Sequence, residues 1–499
     1  MLLQYDTSLT PELREIAADL KEKAETAGLD FFPTIFEMVD YKQLSEIAAY
    51  GGFPTRYPHW RWGMEFERIS KSYTYGLSII YEMVINNNPC YAYLLRGNST
   101  VYQRTVIAHV FGHCDFFKKN YWFSQTNRKM LDQMANHASA VRSIVNDVGQ
   151  DQVEDFIDVC LSLENLIDIY KPFKAKPKPK KPEDLTDFHD KPVHKLAAKS
   201  YMDTYINPKE FLDQQKKMQA QKKEDSFPVQ PERDVLEFLL QHAPMNLWQK
   251  KILDIVRDEA YYFAPQGQTK ILNEGWATYW HSKMMTQITP LNPSEIVDYC
   301  DHYAGVVASH GGQLNPYKLG VELLRHVENR WNKGQFGIDY FMCDDPKKRD
   351  AWDTGVGLGR KKLFEVRSIH NDISFIDEFL DEDFAHKQKM FIYDYDRQRK
   401  RYVISNRNFK EIKLKLLEQL TNFGQPVIHV VDGNYKNRAE LLLKHDYDSI
   451  GLKANYANET LKNLYKIWRR PVHIRTLKDK AEVVISYDGT STKTEKAQD

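Results

Sequence analysis

The chain has no excess of charge: Lys+Arg 69 balance Asp+Glu 69 over 499 residues. No global basic field therefore draws it to nucleic acid or to anionic lipid. Cysteines are few. Cys90, Cys114, Cys160, Cys300 and Cys343 are scattered and none stands in a CxxC pair, which indicates neither a disulfide frame nor a zinc ribbon. No apolar run is long enough to span a bilayer. The first residues, Met1-Leu-Leu-Gln-Tyr-Asp6, lack the charged and apolar regions of a secretory leader. The expectation is a cytoplasmic protein that enters no membrane and binds no nucleic acid. What is present is ordinary for a globular chain: hydrophobic residues make up 42% of a length that should bury a sizeable core and form two or three domains.

The first part, 1–385, reads as mainly α-helical. Residues 8–28 predict an amphipathic helix capped at Thr10-Pro11-Glu12, with Leu13, Ile16, Ala17 and Leu20 on one face. A strand-like run, Tyr91–Leu95, precedes a helix carrying His109. Lys174-Ala-Lys-Pro-Lys-Pro-Lys-Lys-Pro182 cannot be helical and opens a lysine-rich stretch, so 174–226 reads as an insertion. Residues Trp248–Phe263 and Lys270–Met285 predict a helical hairpin around a loop at Ala264–Thr269. Beyond 385 the texture changes. Runs beginning at Phe391, Arg401 and Pro426 read as strands, and helices are expected at Phe409–Phe423 and Glu459–Trp468. The fold class is α+β, with a small α+β domain at 388–485 and a disordered polar tail at 486–499.

One stretch carries chemistry on its face. In His109-Val-Phe-Gly-His-Cys-Asp115 two imidazoles stand four positions apart, on one helix face and at a separation suited to one metal ion. Two core histidines bonded to their neighbours would have the same spacing. Gly112 lets another helix come close.

Longer motifs extend the argument. His109-Val-Phe-Gly-His-Cys-Asp-Phe-Phe-Lys-Lys-Asn120, Asn273-Glu-Gly-Trp-Ala-Thr-Tyr-Trp-His281, Asn315-Pro-Tyr-Lys-Leu-Gly320 and Phe364-Glu-Val-Arg-Ser-Ile-His-Asn-Asp372 resemble the SpoVR family, the stage V sporulation protein R proteins of bacteria. So do Tyr456-Ala-Asn-Glu-Thr-Leu461 and Trp468-Arg-Arg-Pro-Val472. The resemblance covers nearly the whole chain. It implies a cytoplasmic protein that supports spore cortex (peptidoglycan) formation, or stress and stationary-phase physiology in non-sporulating bacteria. Its implied partners are a PrkA-type serine kinase or a cell-wall synthesis protein.

Asn273-Glu-Gly-Trp-Ala277 also resembles the glutamate helix of gluzincin metallopeptidases. That local resemblance implies Glu274 as a third ligand beside His109 and His113, a zincin-like frame and a Zn²⁺ cofactor, since two imidazoles and a carboxylate suit zinc and leave a position open. His281 is two turns beyond Glu274, roughly 10 Å along the axis. It is better placed behind the ligands than among them. The sequence departs from the peptidases at Val110, where they place the general base. A hydrolase would need a base from elsewhere, and Glu259, Asp115 and Glu82 are the candidates. His310 and Tyr317 are candidates to polarise a substrate carbonyl. Val110→Glu would be expected to leave the ligands in place and restore a carboxylate. Two functions follow: a metal-binding regulator or scaffold, or an active metal-dependent hydrolase of a peptide or cell-wall precursor.

Overall fold

The computed structural model describes residues 8–74, 82–174, 208, 227–289, 291–308, 314–448, 450–478 and 481–496. The insertion expected at 174–226 lies outside these, apart from Lys174 and Pro208. The chain divides into two compact units, Met1–Glu154 with Tyr261–Gln425, and Asp155–Ala260 with Pro426–Asp499. No described helix is long and apolar enough to cross a membrane.

The first unit is built on helices around a large apolar core, with a second apolar cluster at Val39, Leu44, Phe53 and Met134. Helix Pro11–Thr26 starts where the Thr10 hydroxyl accepts from the Leu13 amide at 3.3 Å. It buries Leu13, Leu20 and Ala24, with Ile16 and Ala17 packed at the edge of the same core. A three-stranded sheet flanks the helices, ordered β1 (Thr34–Val39), β3 (Cys90–Leu95), β2 (Glu82–Ile85). β1 runs parallel to β3, and β2 antiparallel to it. The sheet delivers the chain through Ser99, which caps the next helix, Thr100–Lys119.

That histidine helix and the glutamate helix, Lys270–Lys283, are buried almost all round: Thr105 to Phe117 in the first and Ile271 to Ser282 in the second. Helices buried on every side meet neighbours closely only where small residues allow. A Cβ on Gly112 would fall 2.7 Å from the Ala277 Cα, and one on Gly275 would fall 2.5 Å from the backbone of Gly320. Gly320 lies on a third helix, Pro316–Asn332. The glycines thus draw three helices together without intervening side chains. Gly275→Ala should lower stability by about 1–3 kcal/mol, the usual cost of overpacking, as read by urea denaturation. An unchanged midpoint would mean that the helices can part freely.

Two aspartates, Asp115 on the histidine helix and Asp372 on another, tie this arrangement together. Asp115, 0% exposed, accepts from Arg367 at 2.9 Å on both oxygens, from Trp276 Nε1 at 2.9 Å and from the Asp30 amide at 2.8 Å. Asp372 accepts from the amides of Ile271 and Leu272, each at 2.8 Å. It caps a helix whose own N-cap, Thr269, makes no side-chain capping bond to the helix amides. Asp372→Ala leaves two buried amides unpaired and should cost about 2–4 kcal/mol. Burial raises the Asp372 carboxyl from 3.8 to about 7, against the opposing effect of the two amides. The folded state therefore holds its proton more tightly than the unfolded state. Stability from this group is full below about 3.8 and declines as pH rises to about 7. Asp372→Asn should flatten that slope in denaturation curves measured across pH.

The helical hairpin differs from expectation. Helix Leu247–Gln268 runs on through Pro265, and only Thr269 separates it from the glutamate helix. Thr269 Oγ1 donates back to the Pro265 carbonyl at 2.7 Å, closing the last turn. The loop expected at Ala264–Thr269 is therefore helix as far as Gln268.

In the second unit five strands are ordered β10 (Thr492–Lys496), β9 (Ala481–Tyr487), β8 (Val472–Lys478), β7 (Glu440–His445), β6 (Ile428–Tyr435). β7 and β8 pair in parallel, joined by the crossover helix Ala454–Trp468, which buries Leu461, Leu464 and Ile467. Phe238 of helix Val235–His242 stacks on Trp468 at 5.8 Å. The polar tail expected to be disordered from 486 instead continues β9 and forms β10. Alternation in a hairpin that exposes one face reads as a merely polar sequence. The unit boundary also falls later than 385–388. The hairpin β4 (Ile392–Asp396) and β5 (Arg401–Asn406) and helix Phe409–Leu420 belong to the first unit. Leu416 is buried in its core, and Phe409, Leu417 and Leu420 pack against it.

Candidate metal centre

The close helix contacts bring three side chains to one point. Ligand atoms of His109, His113 and Glu274 all lie within 4.8 Å of one another, and all three residues are buried. Glu274 Oε2 is 3.5 Å from His109 Nε2 and 3.4 Å from His113 Nε2. These distances exceed a good N–H···O bond, roughly 2.7–3.2 Å. They match the edge of a tetrahedron with metal–ligand bonds of about 2.0–2.1 Å, which is about 3.3–3.4 Å.

The surroundings orient the ligands. His113 Nδ1 donates to Asn273 Oδ1 at 2.9 Å, which leaves the lone pair of the neutral ring on Nε2, facing Glu274. His109 Nδ1 and His281 Nδ1 share one proton-bearing contact at 2.9 Å. Burial, with the neighbouring His109, pushes the His281 imidazole well below its usual range, so it stays neutral and can accept. Lys270, one turn before Glu274, donates to Oε1 at 2.6 Å. Burial alone would raise the Glu274 carboxyl, but the neighbouring His113, Lys270 and His109 side chains hold it well below the usual carboxylate range. Among the described residues, Oε2 has no hydrogen-bond partner. A buried carboxylate oxygen facing two imidazole nitrogens is a donor set suited to a divalent cation.

The other expected residues divide. Tyr317 comes to the site: its ring lies 6.3 Å from that of His109, nearly parallel, and Lys270 Nζ is 5.9 Å from its centroid. Asp115 is not placed as a base. Both its oxygens accept hydrogen bonds within the core, and burial raises it to about 6 while Arg367 lowers it. Glu259 is buried on helix Leu247–Gln268 and is not part of the ligand group found among the described residues. Glu82 begins strand β2, and its side chain lies outside what is described. His310 lies outside the described residues altogether. Val110 is 0% exposed in the apolar core. Three contributors were missed. Lys270 carried an i,i+4 signal toward Glu274 and Asn273 stood in the motif itself. Asp372 stood out as a charge amid apolar neighbours, but its bonds to Ile271 and Leu272, about a hundred residues away, left no local signal.

A family model described as SpoVR like protein matches residues 7–425, and one described as SpoVR-like C-terminal domain matches 426–479. The second begins at the boundary between the compact units. Over 477 residues, 90% of this chain and 89% of the relative, the chain is 27% identical to a protein of Escherichia coli (strain K12) described as uncharacterized protein YcgB. No solved structure matches it.

Proposed function

The chain belongs to the SpoVR family, and from that premise we propose that it is a metal-binding regulator or scaffold of the bacterial cytoplasm. His109, His113 and Glu274 hold one zinc ion in a zincin-like frame. The physiological setting proposed is spore cortex formation, or stress and stationary-phase physiology where no spore is made. The partner proposed is a PrkA-type serine kinase or a cell-wall synthesis protein.

The observation that carries the metal reading is the pair of 3.4 and 3.5 Å separations between Glu274 Oε2 and the two imidazole nitrogens. They are too long for strong hydrogen bonds and right for shared ligation. When bound, the ion would supply a Lewis acid with one position open. The chain's own residues fix it: Asn273 and His281 hold the ring orientations, and Lys270 balances the second carboxylate oxygen. A regulator is favoured over a hydrolase because the peptidase base position is an apolar core residue, Val110, and Asp115 is spent on Arg367 and Trp276.

One observation favours the alternative, a hydrolase of a peptide or cell-wall precursor: the Tyr317 ring beside His109, where a phenol is available to polarise a carbonyl. Full-length protein purified without added metal, assayed for metal content and for cleavage of a peptide library, separates the two. Stoichiometric metal with no cleavage supports the regulator. Cleavage abolished by Tyr317→Phe supports the hydrolase.

A further inference from the structure

Beside the metal centre, on the far end of the glutamate helix, lies a cavity of about 410 Å³. Tyr279, Ser282 and Lys283 of that helix form one wall, and Tyr299 and Tyr303 of helix Pro293–Val307 form another. Arg325 and Glu328 of helix Pro316–Asn332 complete it. The rim carries Thr286 and Gln287, on a π-helical turn at Met284–Ile288. Such turns recur at functional sites because they widen a helix and re-aim its side chains.

The lining is rich in donors. Lys283 and Arg325 bring two positive charges, each set beside one carboxylate, Glu328 and Glu322. Lys283 Nζ bonds Tyr279 Oη at 2.7 Å and Glu328 at 3.3 Å. Arg325 bonds Glu322 at 2.8 Å and Ser282 Oγ at 3.3 Å, which leaves guanidinium N–H groups over. The Tyr299 residue is 4% exposed and lines the cavity, and its hydroxyl, like that of Tyr303, has no hydrogen-bond partner among the described residues. A buried phenol left without a partner costs stability and points to a ligand that satisfies it. Tyr299 and Tyr303 also stand edge-on to His281, with ring centroids 6.3 and 6.0 Å away. The cavity is thus one side chain removed from the ring that orients His109.

We propose that this cavity binds a small oxyanion-bearing ligand, a carboxylate or phosphate of a metabolite-sized molecule, gripped by Arg325 and Lys283 and completed by the Tyr299 hydroxyl. The volume suits a molecule of that size. The site stands whether or not the centre holds metal.

The test uses full-length protein treated with chelator, so that anions cannot act through a bound ion. Inorganic phosphate and succinate are titrated separately by thermal shift and calorimetry, against chloride at equal ionic strength and choline as a cationic control. One of the two oxyanions should raise the melting temperature dose-dependently at millimolar concentration, and chloride and choline should not. The better oxyanion tells a phosphorylated ligand from a carboxylic acid. Arg325→Gln should abolish the shift. Tyr299→Phe removes a hydroxyl with no partner among the described residues, so the free protein should be at least as stable as before, while affinity falls about fivefold to tenfold, the worth of one hydrogen bond. If Arg325→Gln does not fold, Tyr299→Phe carries the test alone. No shift with either oxyanion, or equal shifts in wild type and Tyr299→Phe, would overturn the proposal.

Discussion

His113→Ala protein is expected to lose metal affinity by more than about a hundredfold and to leave purification nearly metal-free. Loss even of an outer partner of a ligand costs about 10- to 100-fold in affinity, and His113 is proposed as a ligand itself. Its ring is held on both sides by consecutive residues, Nδ1 by Asn273 and Nε2 facing Glu274. Alanine there leaves Glu274 with one imidazole and Lys270. Elemental analysis of wild type and variant, purified side by side, gives the result. Asn273→Ala should show the same trend more weakly, because it removes only the group that fixes the tautomer. Equal metal in all three proteins would place any ion elsewhere.

Val110→Glu is expected to unfold the protein rather than to create a peptidase. Read from the sequence alone, that substitution restores the missing base and leaves the ligands untouched. The structure puts Val110 in the apolar core at 0% exposure, among Val106, Phe111 and Phe117. A carboxylate placed there is uncompensated and should cost about 3–5 kcal/mol. Circular dichroism under urea should show a collapsed midpoint, and expression should fall. A stable Val110→Glu protein that cleaves peptides would mean that the helix can rotate this position toward the ion, and that the frame is closer to a working enzyme than its packing suggests.

Much of the centre was legible because its signals are local. His109 and His113 are one helical turn apart, Gly112 between them announces a close helix, and Asn273-Glu274 follows a recognisable pattern. Helical rise alone set His281 apart from Glu274, and its ring meets His109 Nδ1 at 2.9 Å. Legibility ended where partners are distant in the chain. Asp372 caps a helix that starts about a hundred residues earlier, and Arg367 neutralises Asp115 across 252 positions. Neither pairing leaves a periodic trace. The same limit explains the fold. The helix at Pro11 and the strand at Tyr91 follow from capping and composition. The assignment of β4, β5 and helix Phe409–Leu420 to the first unit depends on which core receives Leu416. The loop expected at Ala264–Thr269 is helix as far as Gln268, despite Pro265 and Gly267. Pro265 stands within the helix, and Gly267 is where Phe423 packs, 2.7 Å from where a Cβ would sit.

The central claim is that His109, His113 and Glu274 share one metal ion. Crystals of the full-length protein, grown without chelator and measured on both sides of the zinc absorption edge, test it most directly. The account predicts a single strong anomalous peak within about 2.3 Å of His109 Nε2, His113 Nε2 and Glu274 Oε2, absent from crystals of Glu274→Gln. Well-ordered density for the three side chains with no peak between them, in protein that carries zinc elsewhere or none at all, would contradict it.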